Sequence, residues 1–153
     1  MYETLFLAAK YHLPVGTFNT EINTRVMTIA QELGLANAVH TIIGGGNQRG
    51  VSGGERKRVS IGKDFFSSPD LIFLDEPTSG LDAFQALSVV ELLRNLTREG
   101  RIVVAVLHQP SSTIYDCFAK LLLLSNGRTM YFGTAAEAVS YFQQIGYPCP
   151  VGR

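Results

Sequence analysis

The sequence predicts an α/β domain in which a helical part precedes a mostly parallel sheet that has flanking helices and ends in a hairpin. One observation is an apolar repeat with helical spacing over residues 22–33. Another is a pair of unbroken apolar runs, at residues 71–74 and 102–107, each typical of a strand buried on both faces. Strands that alternate with helices favour a parallel sheet with right-handed crossovers. We expect the helical part at about residues 1–68 and the sheet part at about 69–153.

The helical part should begin with two helices. Apolar residues at positions 5–9 suggest a short helix that ends before Pro14, because proline lacks an N–H and restricts the residue before it. A second, amphipathic helix should run to about Gly34, with Asn19 or Thr20 as its N-cap. Its apolar stripe consists of Ile22, Val26, Ile29 and Leu33.

A glycine-rich loop and a third helix should follow. The helix is expected to begin at Ser52, because Glu55 stands three residues later. This is the spacing of a capping box, in which each side chain accepts a hydrogen bond from the other residue's backbone N–H. The loop before it is marked by Gly44, Gly45, Gly46 and Gly50.

In the sheet part, we expect three strands, two intervening helices and a hairpin. Asn126-Gly127 is a strong signal for a two-residue turn, which would join the third strand to an antiparallel strand at residues 129–132. Thr134 and Glu137 repeat the capping-box spacing before a last helix. The expected strands lie at residues 71–74, 102–107 and 121–124, and the helices between them at residues 83–98 and 111–119.

Composition excludes several classes of protein. Thirteen basic and thirteen acidic side chains cancel, so the chain lacks the basic excess of a nucleic-acid-binding protein. Its apolar runs are far shorter than the ~20 residues of a membrane-spanning helix, and Glu3 stands where a signal peptide would be positively charged. We therefore expect a soluble, cytoplasmic chain. Cys117 and Cys149 are too few for a disulfide framework or a zinc site.

Two carboxylates, Asp75 and Glu76, directly follow the first apolar run. Open α/β sheets bind ligands at the C-terminal ends of their strands. This arrangement is the Walker B pattern, in which Asp75 would hold Mg²⁺, a cation that prefers oxygen ligands, and Glu76 would orient and polarise an attacking water. The alternative is an acidic turn that only ends the strand, helped by Pro77.

The third helix begins with Ser52, Gly53, Gly54 and Glu55. Two residues without side chains at a helix start leave backbone N–H groups accessible to an anion, which the helix dipole also favours. We expect these N–H groups to point outward, toward a phosphate. The alternative is an ordinary capped loop. About twenty residues separate this helix start from the carboxylates, enough for one helix and a return to the sheet, and this spacing favours the phosphate site.

Two further polar residues are candidates for the same site. Asp82 follows a turn and precedes a helix, and simple capping of that helix is the alternative to a functional role. His108 ends the second apolar run, so it should emerge at the same sheet edge as Glu76 and contact a phosphate there. A lone histidine is more often structural.

The order of these four elements resembles the signature motif, Walker B, D-loop and H-loop histidine of ABC-type ATPases. The closest resemblance is to the G subfamily, the white-type half-transporters. It is carried by VSGGERKRVSI at residues 51–61, LDEPTSGLD at 74–82 and HQPSS at 108–112. It covers nearly the whole chain, with further matching segments at residues 3–5, 123–128, 131–133 and 146–150.

The resemblance implies part of a P-loop NTPase domain of the ABC type, with ATP and Mg²⁺ as its ligands. It also implies roles for matching residues. Ser52 and Gly54 would contact the γ-phosphate of ATP held by the opposite subunit. Asp75, Glu76 and His108 would serve the nucleotide of their own subunit.

The partners implied by the resemblance are a second nucleotide-binding domain, in a homo- or heterodimer, and the transmembrane domain of a parent transporter. Asp82 would couple the two nucleotide sites across the dimer. The domain would lie at the cytoplasmic face of a membrane.

One motif of such ATPases is not in this sequence, the phosphate loop Gly-x-x-x-x-Gly-Lys-Ser/Thr, also called Walker A. Gly62-Lys63 is followed by Asp64 and is expected in the middle of a helix. Members of the family also have a glutamine loop before the region that matches Tyr2, and a membrane-spanning half after the region that matches Pro150. We therefore expect a fragment or a truncated gene product, inactive as an ATPase by itself.

Three functions stay open at this point. The first is the ATPase part of a G-type exporter, in which ATP hydrolysis drives the transport of lipid-like or other apolar substrates, a substrate class implied by the resemblance alone. The second is a chromosome-maintenance ATPase, but the coiled-coil heptads or basic face that would favour it do not occur here. The third is a non-catalytic module that binds a partner nucleotide-binding domain through its signature motif.

Overall fold

A computed structural model describes residues 1–44 and 50–149 of the chain. By the density of its contacts, the chain forms two compact units, Met1–His108 and Gln109–Arg153. The expected division into a helical part and a sheet part at about residue 68 stays a prediction. Gly45, Gly46 and Pro150, which the sequence assigned to a loop and to the closing segment, lie outside the described residues.

The helices of the first unit agree with the sequence prediction in number and order. They are α1 (Tyr2–His12), α2 (Asn19–Glu32), α3 (Gly53–Gly62) and α4 (Ala83–Arg98), with short 3₁₀ turns at Ala36–Ala38 and Phe65–Ser67. The N-cap of α2 is Phe18, because Asn19 is already helical, so the prediction that Asn19 or Thr20 caps this helix is wrong. Gly62 and Lys63 form the C-terminal end of α3, so their predicted position in mid-helix is also wrong.

Two strands form a parallel sheet in the first unit. They are β1 (Leu71–Asp75) and β2 (Ile102–Val106), paired in register from Leu71 opposite Ile102 to Asp75 opposite Val106. The helix α4 forms the crossover between them and packs against β2 and α3. Asp75 and the residues after β2 therefore meet at one edge of this sheet.

The sheet of the first unit is covered on one face only, within the described residues. Ile72 is buried, while Phe73 is 72% exposed and Val106 is 61% exposed. The prediction that both apolar runs are buried on both faces is therefore wrong. The core lies on the covered face, where α1, α2 and α3 also contribute their apolar stripes. Its most deeply buried large side chains are Leu5, Val26, Leu33, Leu35, Val39, Val89 and Leu96.

The second unit contains α5 (Ser112–Tyr115), the strands β3 (Lys120–Ser125) and β4 (Arg128–Thr134), and α6 (Ala135–Gln144). The strands form the predicted antiparallel hairpin. Asn126 and Gly127 have φ angles of 49° and 72°, the left-handed pair that a two-residue type I′ turn requires. Among the described residues, β3 pairs with β4 alone, so the parallel pairing is that of β1 with β2.

Two local predictions for the second unit are wrong. The helix α5 ends at Tyr115, well before residue 119, because Cys117 and Phe118 form tighter turn hydrogen bonds to the residues three positions earlier. The capping box of α6 does not form, because Thr134 Oγ1 donates a hydrogen bond to the Glu137 carboxylate at 2.6 Å and caps no backbone N–H.

No helix among residues 1–44 and 50–149 combines the length and apolar character that crossing a membrane requires.

Candidate functional site

The start of α3 is a capping box, as the sequence predicts. Ser52 Oγ accepts a hydrogen bond from the Glu55 N–H at 3.2 Å, and the Glu55 carboxylate accepts one from the Ser52 N–H at 2.7 Å. Two of the free N–H groups at this helix start are thereby satisfied within the motif. Ser52 and Gly53 are exposed, whereas Gly54 is buried.

The N–H group of Gly54 does not point outward as predicted. It donates a hydrogen bond to Gln85 Oε1 of α4 at 3.0 Å. Among the N–H groups of residues 52–55, that of Gly53 is the one without a hydrogen bond to any described residue. In this arrangement, the donors expected to face a phosphate are mostly engaged by the protein itself.

Two basic side chains of α3 bond to other elements, one to the segment that follows β1 and one to α4. Lys57 Nζ donates a hydrogen bond to the backbone carbonyl of Glu76 at 3.4 Å, and an Arg58 guanidinium nitrogen donates one to Ser88 Oγ at 2.9 Å. The Nε of Arg58 is buried and has no hydrogen-bond partner among the described residues. The start of α3 and the end of β1 therefore belong to one connected region.

The carboxylates Asp75 and Glu76 lie at the end of β1 and are both exposed. Glu76 has a left-handed backbone with φ of 45°, which is uncommon for a residue with a side chain and costs about 1–3 kcal/mol. Its N–H donates to the carbonyl of Val106 at 3.0 Å, and its own carbonyl accepts from the Ser79 N–H at 3.1 Å. These hydrogen bonds hold the backbone of Glu76 in this conformation at the end of β1.

The described residues contain no cluster of three or more histidine, cysteine, aspartate or glutamate side chains that could hold a metal ion. Mg²⁺ commonly binds through one or two carboxylates, with substrate phosphates and waters completing its shell. An exposed carboxylate at the end of a strand, such as Asp75, fits that mode of binding.

Asp82 caps α4, which is the simpler of the two roles considered for it. Its Oδ1 accepts a hydrogen bond from the Gln85 N–H at 2.8 Å. The turn before it contains Gly80, whose φ of 74° suits a residue without a side chain. Asp82 is exposed, so the cap leaves it accessible to solvent or to a partner.

His108 lies two residues beyond the end of β2 and is exposed. Because Asp75 and Val106 are paired, the segment after β2 emerges at the same sheet edge as Glu76. His108 has no hydrogen bond to any described residue. Its imidazole is therefore available to a ligand at this edge.

Sequence reasoning gave no role to Lys57, Arg58 or Gln85, which connect α3 to α4 and to the backbone carbonyl of Glu76. Gln85 is the third residue of a capped helix, a position that many residue types occupy. Its contact with Gly54 depends on how two helices pack, which no local pattern indicates.

Comparison with known proteins gives a consistent result. The family model described as ABC transporter matches residues 3–79. ABC transporter G family member 11 of Arabidopsis thaliana is 46% identical over 151 residues, covering 99% of this chain and 22% of that protein. ABC transporter G family member 5 of Oryza sativa subsp. japonica is 46% identical over 148 residues, covering 97% of this chain and 19% of that protein. The chain thus spans about a fifth of the length of the curated relatives it matches.

A solved structure also resembles the fold. It is an ATP-binding cassette of an ABC transporter, MJ1267, with a TM-score of 0.71 and 17% sequence identity. The match covers 94% of this chain and 60% of that chain. At this identity the likeness shows the fold alone.

Proposed function

Because this chain belongs to the ABC transporter family, we propose that it is part of the ATP-binding and ATP-hydrolysing domain of a G-type transporter. The main support is the exposed carboxylate pair at the end of β1. Its second member, Glu76, has a left-handed backbone that is hydrogen-bonded to β2. An edge with this geometry suits a nucleotide with its metal ion.

The carboxylates and the histidine would serve the nucleotide of their own subunit. Glu76 would orient and polarise the water that attacks the γ-phosphate, and Asp75 would hold Mg²⁺. Mg²⁺ bound there would neutralise charge on the phosphate oxygens. His108, at the same sheet edge, would contact a phosphate oxygen.

The start of α3 would serve the nucleotide of the opposite subunit. Ser52 and Gly54 would contact its γ-phosphate, with Gly53 leaving room for close approach and Glu55 holding the helix start in shape. The capping box supports this role, because it stabilises the turn that would present these groups. Asp82 would couple the two sites across the dimer, since it is exposed and its segment is linked to α3 through Gln85.

The proposed partners are a second nucleotide-binding domain and the transmembrane domain of a longer transporter, with this domain at the cytoplasmic face of the membrane. Similarity to G family members supports both. The proposed cargo is lipid-like or otherwise apolar, a class that rests on this similarity alone. The net charge of zero gives no support to a nucleic-acid partner.

Substitution of Glu76 by glutamine tests the proposal. In a full-length transporter that carries this chain, Glu76→Gln should leave ATP binding largely intact and lower turnover about 100-fold or more, because the amide keeps the shape but cannot act as a base. Glu91→Gln, the same change at an exposed position of α4, is the matched control and should retain normal turnover. Phosphate release and nucleotide binding are measured separately. A normal rate for Glu76→Gln would exclude Glu76 as the base.

A second candidate function is a non-catalytic module that binds a partner nucleotide-binding domain. It is favoured by one observation, that the 153 residues contain no phosphate-loop sequence. Either way, we expect the 153-residue chain alone to bind MgATP very weakly and not to hydrolyse it, since the donors of that loop are absent. Calorimetric titration measures this. Micromolar binding with steady phosphate release would show that the nucleotide site has been misplaced.

A further inference from the structure

Gln85 connects the start of α3 to the cap of α4. Its backbone N–H donates to Asp82 Oδ1 at 2.8 Å, and its side-chain Oε1 accepts from the Gly54 N–H at 3.0 Å. Gln85 is half-buried and Gly54 is buried. Two hydrogen bonds therefore link Gly54 to Asp82 through one residue, one bond made by the side chain of Gln85 and the other by its backbone N–H.

The two glycines at the start of α3 leave the space that Gln85 occupies. A Cβ atom on Gly53 would lie 3.0 Å from Gln85 Oε1 and 3.0 Å from Leu81 Cδ2. A Cβ atom on Gly54 would lie 3.4 Å from Gln85 Cβ. Packing against Gln85 thus gives these glycines a second role besides close approach of a phosphate.

An anion that approaches this helix start would compete with Gln85 for one donor. The N–H groups of Ser52 and Glu55 are bonded inside the capping box, so their release would break the start of α3. The N–H of Gly54 is bonded to a side chain of another helix, which can move away without that cost. A hydrogen bond to a charged phosphate oxygen is roughly twice as strong as one to a neutral amide.

We propose that Gln85 is a positioning residue that occupies the Gly54 N–H until the γ-phosphate held by the opposite subunit displaces it. Displacement breaks the link between Gly54 and the first turn of α4, where Asp82 lies. Arrival of the phosphate at one motif is thereby transmitted to the other. The proposal rests on the proposed function of Ser52 and Gly54.

Two substitutions of Gln85 should have opposite effects. Gln85→Leu removes the acceptor, so the phosphate no longer competes for the Gly54 N–H, and the MgATP concentration for half-maximal dimer closure should fall about fivefold, the effect of one neutral hydrogen bond. Gln85→Glu keeps an acceptor and adds a negative charge beside the phosphate, so this concentration should rise about tenfold or more. The readout is fluorescence energy transfer between labelled subunits of a full-length transporter, with Glu76→Gln in both to prevent hydrolysis.

Ser88→Ala is the matched control, because it removes the Arg58–Ser88 hydrogen bond between the same two helices without affecting Gly54. The MgATP concentration for half-maximal closure should stay within about twofold of the wild-type value. This change is smaller than the one expected from loss of the hydrogen bond to Gly54. A shift equal to that of Gln85→Leu would reveal general loosening of the helix pair and overturn the proposal. So would a rise in the midpoint for Gln85→Leu. If Gln85→Leu does not fold, Gln85→Glu still tests the proposal. A wild-type midpoint for Gln85→Glu would contradict it.

Gly54→Asp separates this proposal from the proposed function. It adds negative charge where the phosphate would approach, so the proposed function requires it to block closure, whereas Gly54→Ala adds a Cβ alone. If Gly54→Asp folds and closes normally, the phosphate site itself is wrong. If it blocks closure while both Gln85 variants close like the wild type, the site is right and the role of Gln85 is wrong.

Discussion

At the scale of single residues, Gly62 is needed for packing of the core, which the sequence pattern does not indicate. A Cβ atom there would lie 2.4 Å from Leu33 Cδ1 and 3.4 Å from Leu5 Cδ2, both in the core. We expect Gly62→Ala to lower the free energy of unfolding by about 1–3 kcal/mol through overpacking, despite the better helix propensity of alanine. Urea unfolding of the 153-residue chain, followed by circular dichroism, measures it.

Ser60→Ala is the control for that measurement, because Ser60 is exposed on the same helix. Its free energy of unfolding should stay within about 0.5 kcal/mol of the wild type. If Gly62→Ala were as stable as this control, Leu33 would move aside without cost and the glycine would not be needed for packing.

Residue chemistry in the site was predictable where a residue has a local signature. Asp75 and Glu76 follow an apolar run, and Ser52 and Glu55 have capping-box spacing, which the structure confirms. The engagement of the Gly54 N–H was not predictable, because its acceptor lies 31 positions away on another helix. The assigned roles of these residues stay predictions.

At the scale of elements, the capping of α4 by Asp82 allows two roles to be separated. Asparagine is as good an N-cap as aspartate, so Asp82→Asn should leave stability nearly unchanged, whereas Asp82→Ala should cost about 1 kcal/mol. We expect Asp82→Asn nevertheless to lower ATP turnover in a full-length transporter, because the charge that couples the sites is lost. Thermal unfolding and phosphate release are measured on the same samples. Full turnover in Asp82→Asn would leave capping as the role of Asp82.

Element boundaries were predictable where periodicity and capping agree. The helix α4 has its predicted bounds, Ala83–Arg98, because an amphipathic stripe follows a good N-cap. The spacing of a capping box alone predicted the hydrogen bonds at a helix start less reliably. Thr134 and Glu137 have the spacing of a capping box but bond to each other through their side chains. Continuous apolar runs also failed to indicate burial, because β1 and β2 pack on one face only within the described residues.

At the scale of the whole molecule, local sequence patterns predict the strands more reliably than they predict which strands pair. The alternation of strands and helices predicted the parallel pair of β1 and β2, which is confirmed, but β3 pairs with its hairpin neighbour β4. A hairpin turn acts over two residues, whereas a parallel partner must be reached through a long crossover. The two-residue turn therefore accounts for the pairing of β3 with β4.

The central claim is that the start of α3 acts on the nucleotide of the opposite subunit, and a mixed dimer tests it most directly. One full-length subunit would carry Gly54→Asp and the other would be wild type, with nucleotide trapping read separately at each phosphate loop. A dimer with Gly54→Ala, whose Cβ would lie 3.4 Å from Gln85 Cβ, controls for bulk. We expect trapping to be lost at the phosphate loop of the wild-type subunit, because the added carboxylate repels the γ-phosphate bound there. Loss confined to the phosphate loop of the mutated subunit would contradict the claim.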